Sequence, residues 1–198
     1  MTEPSKPTRK RNATATRDAI LASAHERFVR FGYDGVGVRE IANGAGVTAM
    51  LVNRYFGSKE QLFAEVMNRD LQAPTILTAE TLASPTLGQD MATMLVAITA
   101  KDATALDGFQ MMLRSAASER AAELARDAIE GNHHRKLTGA LQGEFAAERS
   151  ALILSIVAGV QMMRQMIGIE TLAKADPATL AKLLEPVLSA LINPPAKS

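Results

Sequence analysis

The chain has no cysteine among its 198 residues. Disulfides and thiolate metal sites are therefore excluded. Aromatic residues make up only 4% of the sequence, so any core relies on aliphatic side chains and on ten methionines. Long hydrophobic runs are missing as well. The most apolar stretch, Ser150 to Val160, is too short to cross a bilayer and is followed by Gln161 and Arg164. The N-terminus is polar and basic and lacks the apolar segment of a secretory signal. The expectation is a cytoplasmic protein with no membrane partner. There is no glycine-rich phosphate loop and no nucleophile motif around any Ser or His, so no catalysis and no cofactor are indicated. No segment alternates apolar and polar residues, so no strands are expected.

What is present is unevenly distributed. Hydrophobic residues are 47% and charged residues 22% of the chain, which suits one compact chain of one or two domains. Net charge is only +1. Through Glu60, however, ten Lys and Arg face six Asp and Glu, leaving +4 there and −3 beyond. A basic head on an acidic body is the pattern of a polyanion-binding module joined to a domain with another purpose. Residues 1–15 carry Pro4, Pro7 and the cluster Thr8-Arg9-Lys10-Arg11. They are expected to form a disordered basic arm, either touching phosphates or merely solubilising.

The most informative stretch runs from Val38 to Phe63. Val38, Ile41, Ala42 and Ala45 recur at helical spacing before Gly44-Ala45-Gly46, and Val52 and Phe56 lie four apart after it. Thr48, Ala49, Asn53 and Arg54 are left facing outward. Gly57 breaks the second helix, and Ser58 with Gln61 forms a capping box for the next. Two helices joined by a glycine turn, the second with a polar outer face, predict a helix-turn-helix, a motif that lays its second helix in the major groove. An earlier helix, capped by Thr14 or Thr16, presents Ile20, Ala24, Phe28 and Phe31 on one face. Phe28, Phe31, Ile41, Val52 and Phe56 are expected to meet in one small core.

These residues carry a resemblance. Phe31-Gly32-Tyr33, Val38-Arg39-Glu40-Ile41-Ala42, Ala45-Gly46-Val47 and Tyr55-Phe56-Gly57-Ser58-Lys59-Glu60 resemble the N-terminal domain of the TetR family of bacterial transcriptional regulators, over roughly Arg17 to Phe63. The chain departs from the family at two places: Gly37 stands where Thr or Ser is frequent, and Asn53 where Tyr or Phe is frequent. The resemblance implies an all-α protein. Its parts are a helix-turn-helix DNA-binding domain at 16–62 and a larger helical ligand-binding and dimerisation domain at 63–195. It further implies a homodimer on a palindromic double-stranded DNA operator, a repressor's role and an unknown small-molecule effector. The expected DNA-contacting residues are Arg39, Thr48, Ala49, Met50, Asn53, Arg54, Tyr55 and Lys59. Asn suits adenine, Arg suits guanine, and Lys59 on a helix N-terminus suits a phosphate.

Beyond Pro74 the sequence reads as a loop to Pro85, then helices near 86–100, 105–117 and 118–141. A long apolar helix follows, started by Glu144 or Glu148 and running through Leu152 to about Ala173, and a last one from Asp176-Pro177, kinked at Pro186. A ligand pocket is expected between the helices bearing Met94, Phe109, Met112 and Gln161. Buried Arg164 would be paired with a ligand or protein carboxylate. Plain core filling explains the methionines equally well. His133 and His134, adjacent on a helix, point apart and do not make a metal site. Two other readings remain: a DNA-binding regulator controlled by a protein partner without a small-molecule ligand, and a helical lipid-binding protein or enzyme.

Overall fold

A computed structural model of the chain describes residues 8–72, 76–100 and 107–194, with side chains from residue 13 onward except that of Gln72. All regular structure among them is helical: α1 (Thr8–Phe31), α2 (Val38–Gly44), α3 (Ala49–Phe56), α4 (Lys59–Gln72), α5 (Ala79–Leu82), α6 (Leu87–Ile98), α7 (Asp107–Ser115), α8 (Glu119–Ile129), α9 (Arg135–Ala140), α10 (Ala146–Gln161), α11 (Glu170–Ala173) and α12 (Pro177–Ile192). Wide π turns at Glu130–His134 and Met162–Met166 follow α8 and α10. The helices divide into two compact units. One comprises described residues 8–70 and 107–128, and the other 71–100 and 129–194.

The first unit is built on α1. Its helix starts at Thr8, so residues 8–15 of the arm expected to be disordered are helical, and Thr14 and Thr16 lie inside α1 instead of capping it. Residues 1–7 lie outside the described residues. Ile20, Ala24 and Phe28 are fully buried, as their spacing predicts. Phe31 is not: it is 49% exposed, with the Arg30 guanidinium 5.0 Å from its ring. The reason lies in the turn that follows. Gly32 adopts φ +70, and the chain folds back so that Tyr33 takes the core place beside Phe28 and Phe63. The Phe28–Phe63 and Tyr33–Phe63 ring centroids are each 5.1 Å apart, edge to face.

α7 and α8 belong to this unit as well, so the contacts do not divide at residue 62/63. Tyr33 N–H donates to Ser115 Oγ at 2.9 Å, the Arg114 side chain donates to the Val29 carbonyl, and Met111 is fully buried. A Cβ on Gly32 would lie 2.6 Å from the Arg114 carbonyl oxygen, which is how closely α7 approaches the end of α1.

The second unit centres on α6 and α12. At Gly88 a Cβ would come within 3.1 Å of the Ser189 backbone, so the two helices touch with almost no side chain between them. Around them Ile76, Leu77, Met91, Leu137, Ile153 and Leu188 form the core. The single long helix expected from Glu144 or Glu148 to Ala173 begins as expected in α10, entered from Phe145 in the left-handed conformation, but then passes through the second π turn and a break at Gly168 (φ +71) before α11. Ala146–Met166 is nevertheless 21 residues of continuous helix, longer than the apolar stretch Ser150–Val160 and apolar enough by composition to cross a bilayer.

Two buried arginines lie near the ends of that helix. Arg149 and Arg164 are 7% and 6% exposed. Arg149 donates to the carbonyls of Leu191 and Ile192 (3.0 and 3.1 Å), and to those of Gln142 and Glu144. Arg164 donates to Val96 O (2.6 Å), Thr99 Oγ1 (2.7 Å) and Leu172 O (3.2 Å). The carboxylate expected beside Arg164 is therefore replaced by neutral oxygens. Several of them are free carbonyls at the ends of α6, α11 and α12, where the helix dipole is negative and a cation is favoured.

Candidate nucleic-acid interface

The helix-turn-helix forms for local reasons. α2 opens at Gly37, whose N–H donates to the Glu40 carboxylate at 2.6 Å. The carboxylate thus supplies the N3 half of a capping box, while glycine offers no hydroxyl for the other half. The turn closes through Ala45 N–H to Ile41 O and Val47 N–H to Ala42 O, both 3.0 Å. Gly46 sits at φ +67, a conformation that favours glycine. Thr48 then caps α3, its Oγ1 accepting from Leu51 N–H at 3.3 Å. Gly44 has a different task. A Cβ there would meet Ser23 Oγ at 2.3 Å, so α2 lies directly on α1, where Ser23 also donates to Ile41 O.

The residues of α3 separate by exposure, with Leu51 half-buried. Val52 and Phe56 are buried, while Asn53 and Arg54 are exposed, Met50 is 80% exposed, and Ala49 and Tyr55 are half-buried. Thr48 and, on α2, Arg39 are also exposed. Burying Val52 and Phe56 thus turns Met50, Asn53 and Arg54 outward. Arg17 fixes the other side: its guanidinium stacks 5.0 Å from the Phe56 ring and ion-pairs with Glu65 of α4.

Lys59 is placed differently from the rest. It is half-buried, with Nζ 4.1 Å from the centroid of the Tyr33 ring, a cation–π contact that orients the ammonium at the start of α4. Tyr33 OH donates to Glu60 Oε1 at 3.0 Å. Burial, the Glu60 hydrogen bond and its charge push the phenol up to about 12. Hydrogen bonds from Ser58, its own backbone and Tyr33 hold the Glu60 carboxyl below its ordinary value. Tyr33 therefore stays a neutral donor, and Glu60 a charged acceptor, at any physiological pH. Tyr33 lies in a turn outside any helical period, so no sequence pattern marks it for this role.

A family model described as "Bacterial regulatory proteins, tetR family" matches residues 20–66, and one described as "Tetracyclin repressor-like, C-terminal domain" matches residues 85–192, more than half of the chain. The chain belongs to the TetR family. It is a TetR-family transcriptional regulator with a DNA-binding helix-turn-helix and a helical C-terminal domain. The transcriptional regulator RutR of Escherichia coli K12 is 38% identical over 63 residues, a match spanning 32% of this chain and 30% of RutR. Solved structures share the fold. A TetR-family regulator from Streptomyces coelicolor A3 aligns over 96% of this chain and 99% of its own, with TM-score 0.60 and 23% identity. NalD of Pseudomonas aeruginosa, the secondary repressor of the MexAB-OprM multidrug efflux pump, aligns over 93% of this chain and 100% of its own, with TM-score 0.61 and 21% identity.

The residues expected to line an effector pocket in this TetR-family chain are divided between the two units. Phe109 and Met112, both half-buried, are on α7 in the first unit, while Met94, Gln161 and Arg164 are in the second. Within the second unit a different polar pair stands out. His133 Nε2 and Thr138 Oγ1 are buried without a hydrogen-bond partner among the described residues. Burial pushes the His133 imidazole below its ordinary value, against a hydrogen bond to the Leu71 backbone, so the ring is neutral. His134 turns away to Ala147 O at 2.9 Å. Among the described residues no group of three side chains could hold a metal ion.

Proposed function

We propose that this regulator is a cytoplasmic, homodimeric repressor that binds a palindromic operator and is released by a small-molecule effector. The observation that carries the dimer is an apolar surface on the second unit. Leu152 (54%), Ile167 (66%), Leu183 (65%) and Val187 (49%) are exposed there, joined by Met163 and Met166. Surfaces of this kind on a soluble chain mark an interface. Arg149 and Arg164 fasten the long helix within its own unit, which favours a second copy over a bilayer as the occupant. A palindromic site read by two α3 helices about 34 Å apart also needs two copies.

Base reading is assigned to Asn53 and Arg54, with Thr48, Ala49, Met50 and Tyr55 lining the same face and Arg39 and Lys59 on phosphates. Operators selected from randomised DNA should be two-fold symmetric. Arg54→Ala or Asn53→Ala should lose roughly 1–3 kcal/mol and relax preference at one position of each half-site. Lys59→Ala should weaken all sequences evenly and reduce the salt slope by about one. A Lys59 variant that changed base preference would reverse these assignments.

The effector reading is supported by the methionine-rich second unit and by the His133 and Thr138 atoms that lack partners. A neutral imidazole nitrogen accepts, so a ligand held there would carry an N–H or O–H donor. A compound present at a hundredfold excess over its Kd should stabilise the protein by about 2.7 kcal/mol, and it must prefer the arrangement that cannot bind DNA. Thermal-shift screening followed by operator binding tests this. A screen in which stabilising compounds leave operator binding intact would favour control by a protein partner. The lipid-binding and enzyme reading gains no support, since the family is one of transcriptional regulators.

A further inference from the structure

His25, in the middle of α1, is the meeting point of three helices of the DNA-binding unit. Its Nε2 lies 3.2 Å from Asp70 Oδ1, at the end of α4, and 3.8 Å from Asp107 Oδ2, at the start of α7. Asp70 leans against Gly108: a Cβ there would come 2.7 Å from the Asp70 Cβ, so glycine is what admits the carboxylate. The second Asp70 oxygen, Oδ2, is buried and has no hydrogen-bond partner among the described residues. Beside the cluster lies a groove of about 300 Å³ lined by Asp18, Leu21, Ala22, His25, Val66, Arg69 and Asp70. Arg69 is committed to Asp18 at 3.5 Å. The charged groups facing His25 are therefore Asp18, Arg69 and Asp70 around the groove and Asp107 from α7.

The positions of the two aspartates give the cluster its meaning. The chain leaves the DNA-binding unit after Asp70 and has re-entered it by Asp107. His25 thus joins α1 to both points of passage. When it is charged, one cation holds two carboxylates. When it is neutral, two carboxylates face each other across an imidazole, one of them with a buried oxygen.

We propose that His25, Asp70 and Asp107 form a proton-operated clasp that closes the DNA-binding unit where the chain leaves and re-enters it, so that operator affinity falls as the clasp loses its proton. This rests on the DNA-binding reading and not on the effector. The Asp70 hydrogen bond raises the His25 pKa above its ordinary value; burial opposes, and the charges of Asp70 and Asp107 add to the rise. A histidine raised in the fold contributes stability that is complete below its ordinary value near 6.5. That stability is lost as pH climbs through the raised folded value.

The experiment has two arms on the full chain. In the first, His25 is titrated by NMR in the wild type, in Asp70→Asn and in Gly108→Ala, which should push Asp70 aside. The midpoint is expected above that of an unperturbed histidine in the wild type, and lowered in both variants. In the second, affinity for an operator duplex selected from randomised DNA is measured between pH 6 and pH 8.5 for wild type and for His25→Gln, which keeps a hydrogen-bonding side chain without the titration. The wild type should lose affinity more steeply than His25→Gln as pH rises, while the two converge at the alkaline end. Parallel pH profiles, or a His25 midpoint that ignores Asp70→Asn, would overturn the clasp. Failure to obtain any operator would count against the DNA-binding reading, and the NMR arm would still decide the clasp itself.

Discussion

Phe28→Ala is expected to cost the protein about 3–5 kcal/mol, the range for deleting a fully buried phenylalanine ring. Phe28 is 0% exposed and touches both other rings of its cluster, Tyr33 at 6.3 Å and Phe63 at 5.1 Å. Its loss opens a cavity beside the Tyr33 and Phe63 rings. For a chain of this length the melting temperature should drop by roughly 6–20 °C. Operator binding should fall with it, because α3 rests on this core. The control is Phe31→Ala, three residues along the same helical face. That ring is half exposed, and its removal should cost under about 1 kcal/mol. Denaturant melts of both variants decide the matter. Equal losses would put Phe31 in the core, where periodicity alone had placed it.

The second large effect concerns assembly. Leu183 and Val187 are one turn apart on α12 and 65% and 49% exposed. Replacing both with glutamate leaves the unit's own core untouched but puts charges into the proposed interface. Sedimentation should show a dimer for wild type and a folded monomer for the double variant. Specific operator binding should weaken by roughly 2–5 kcal/mol, about half of what typically separates specific from non-specific affinity, because only one half-site is read at a time. A variant that remained dimeric, or a wild type that was monomeric at operator-binding concentrations, would refute this face as the interface.

The parts of the fold legible in the sequence are those fixed within a few residues. The Gly44-Ala45-Gly46 turn and the Val52–Phe56 pair each act locally, so the helix-turn-helix followed from pattern alone, while Thr48, read as an outward residue, also caps α3. The start of α1 did not. Thr8 to Ala15 has no apolar period, so its helix leaves no periodic signature, and two prolines just before it read as disorder. Phe31 and Tyr33 exchanged roles because the turn at Gly32, and not the helix period, selects which ring points inward. The C-terminal unit was legible as helices but not as contacts. Arg164 looked like an anion seeker, yet its partners Val96 and Leu172 are 68 and 8 residues away. His25 gave no signal at all, because its two aspartates lie 45 and 82 positions further along the chain.

The DNA-binding unit is discontinuous in the chain, and that bears on how it is made. A ribosome delivers α1 to α4 first, but Ser115, Arg114 and Met111, which close the end of α1 around Tyr33, come much later. Between Asp70 and Ala128 lie 58 residues of further synthesis, or roughly 3–12 s at the usual bacterial pace. For that interval the nascent helix-turn-helix presents an uncovered flank of α1. For the same reason a transplanted fragment ending at the old boundary near residue 62 carries an open seam, and a chimera that moves this DNA reader to another sensor has to carry α7 and α8 along with it.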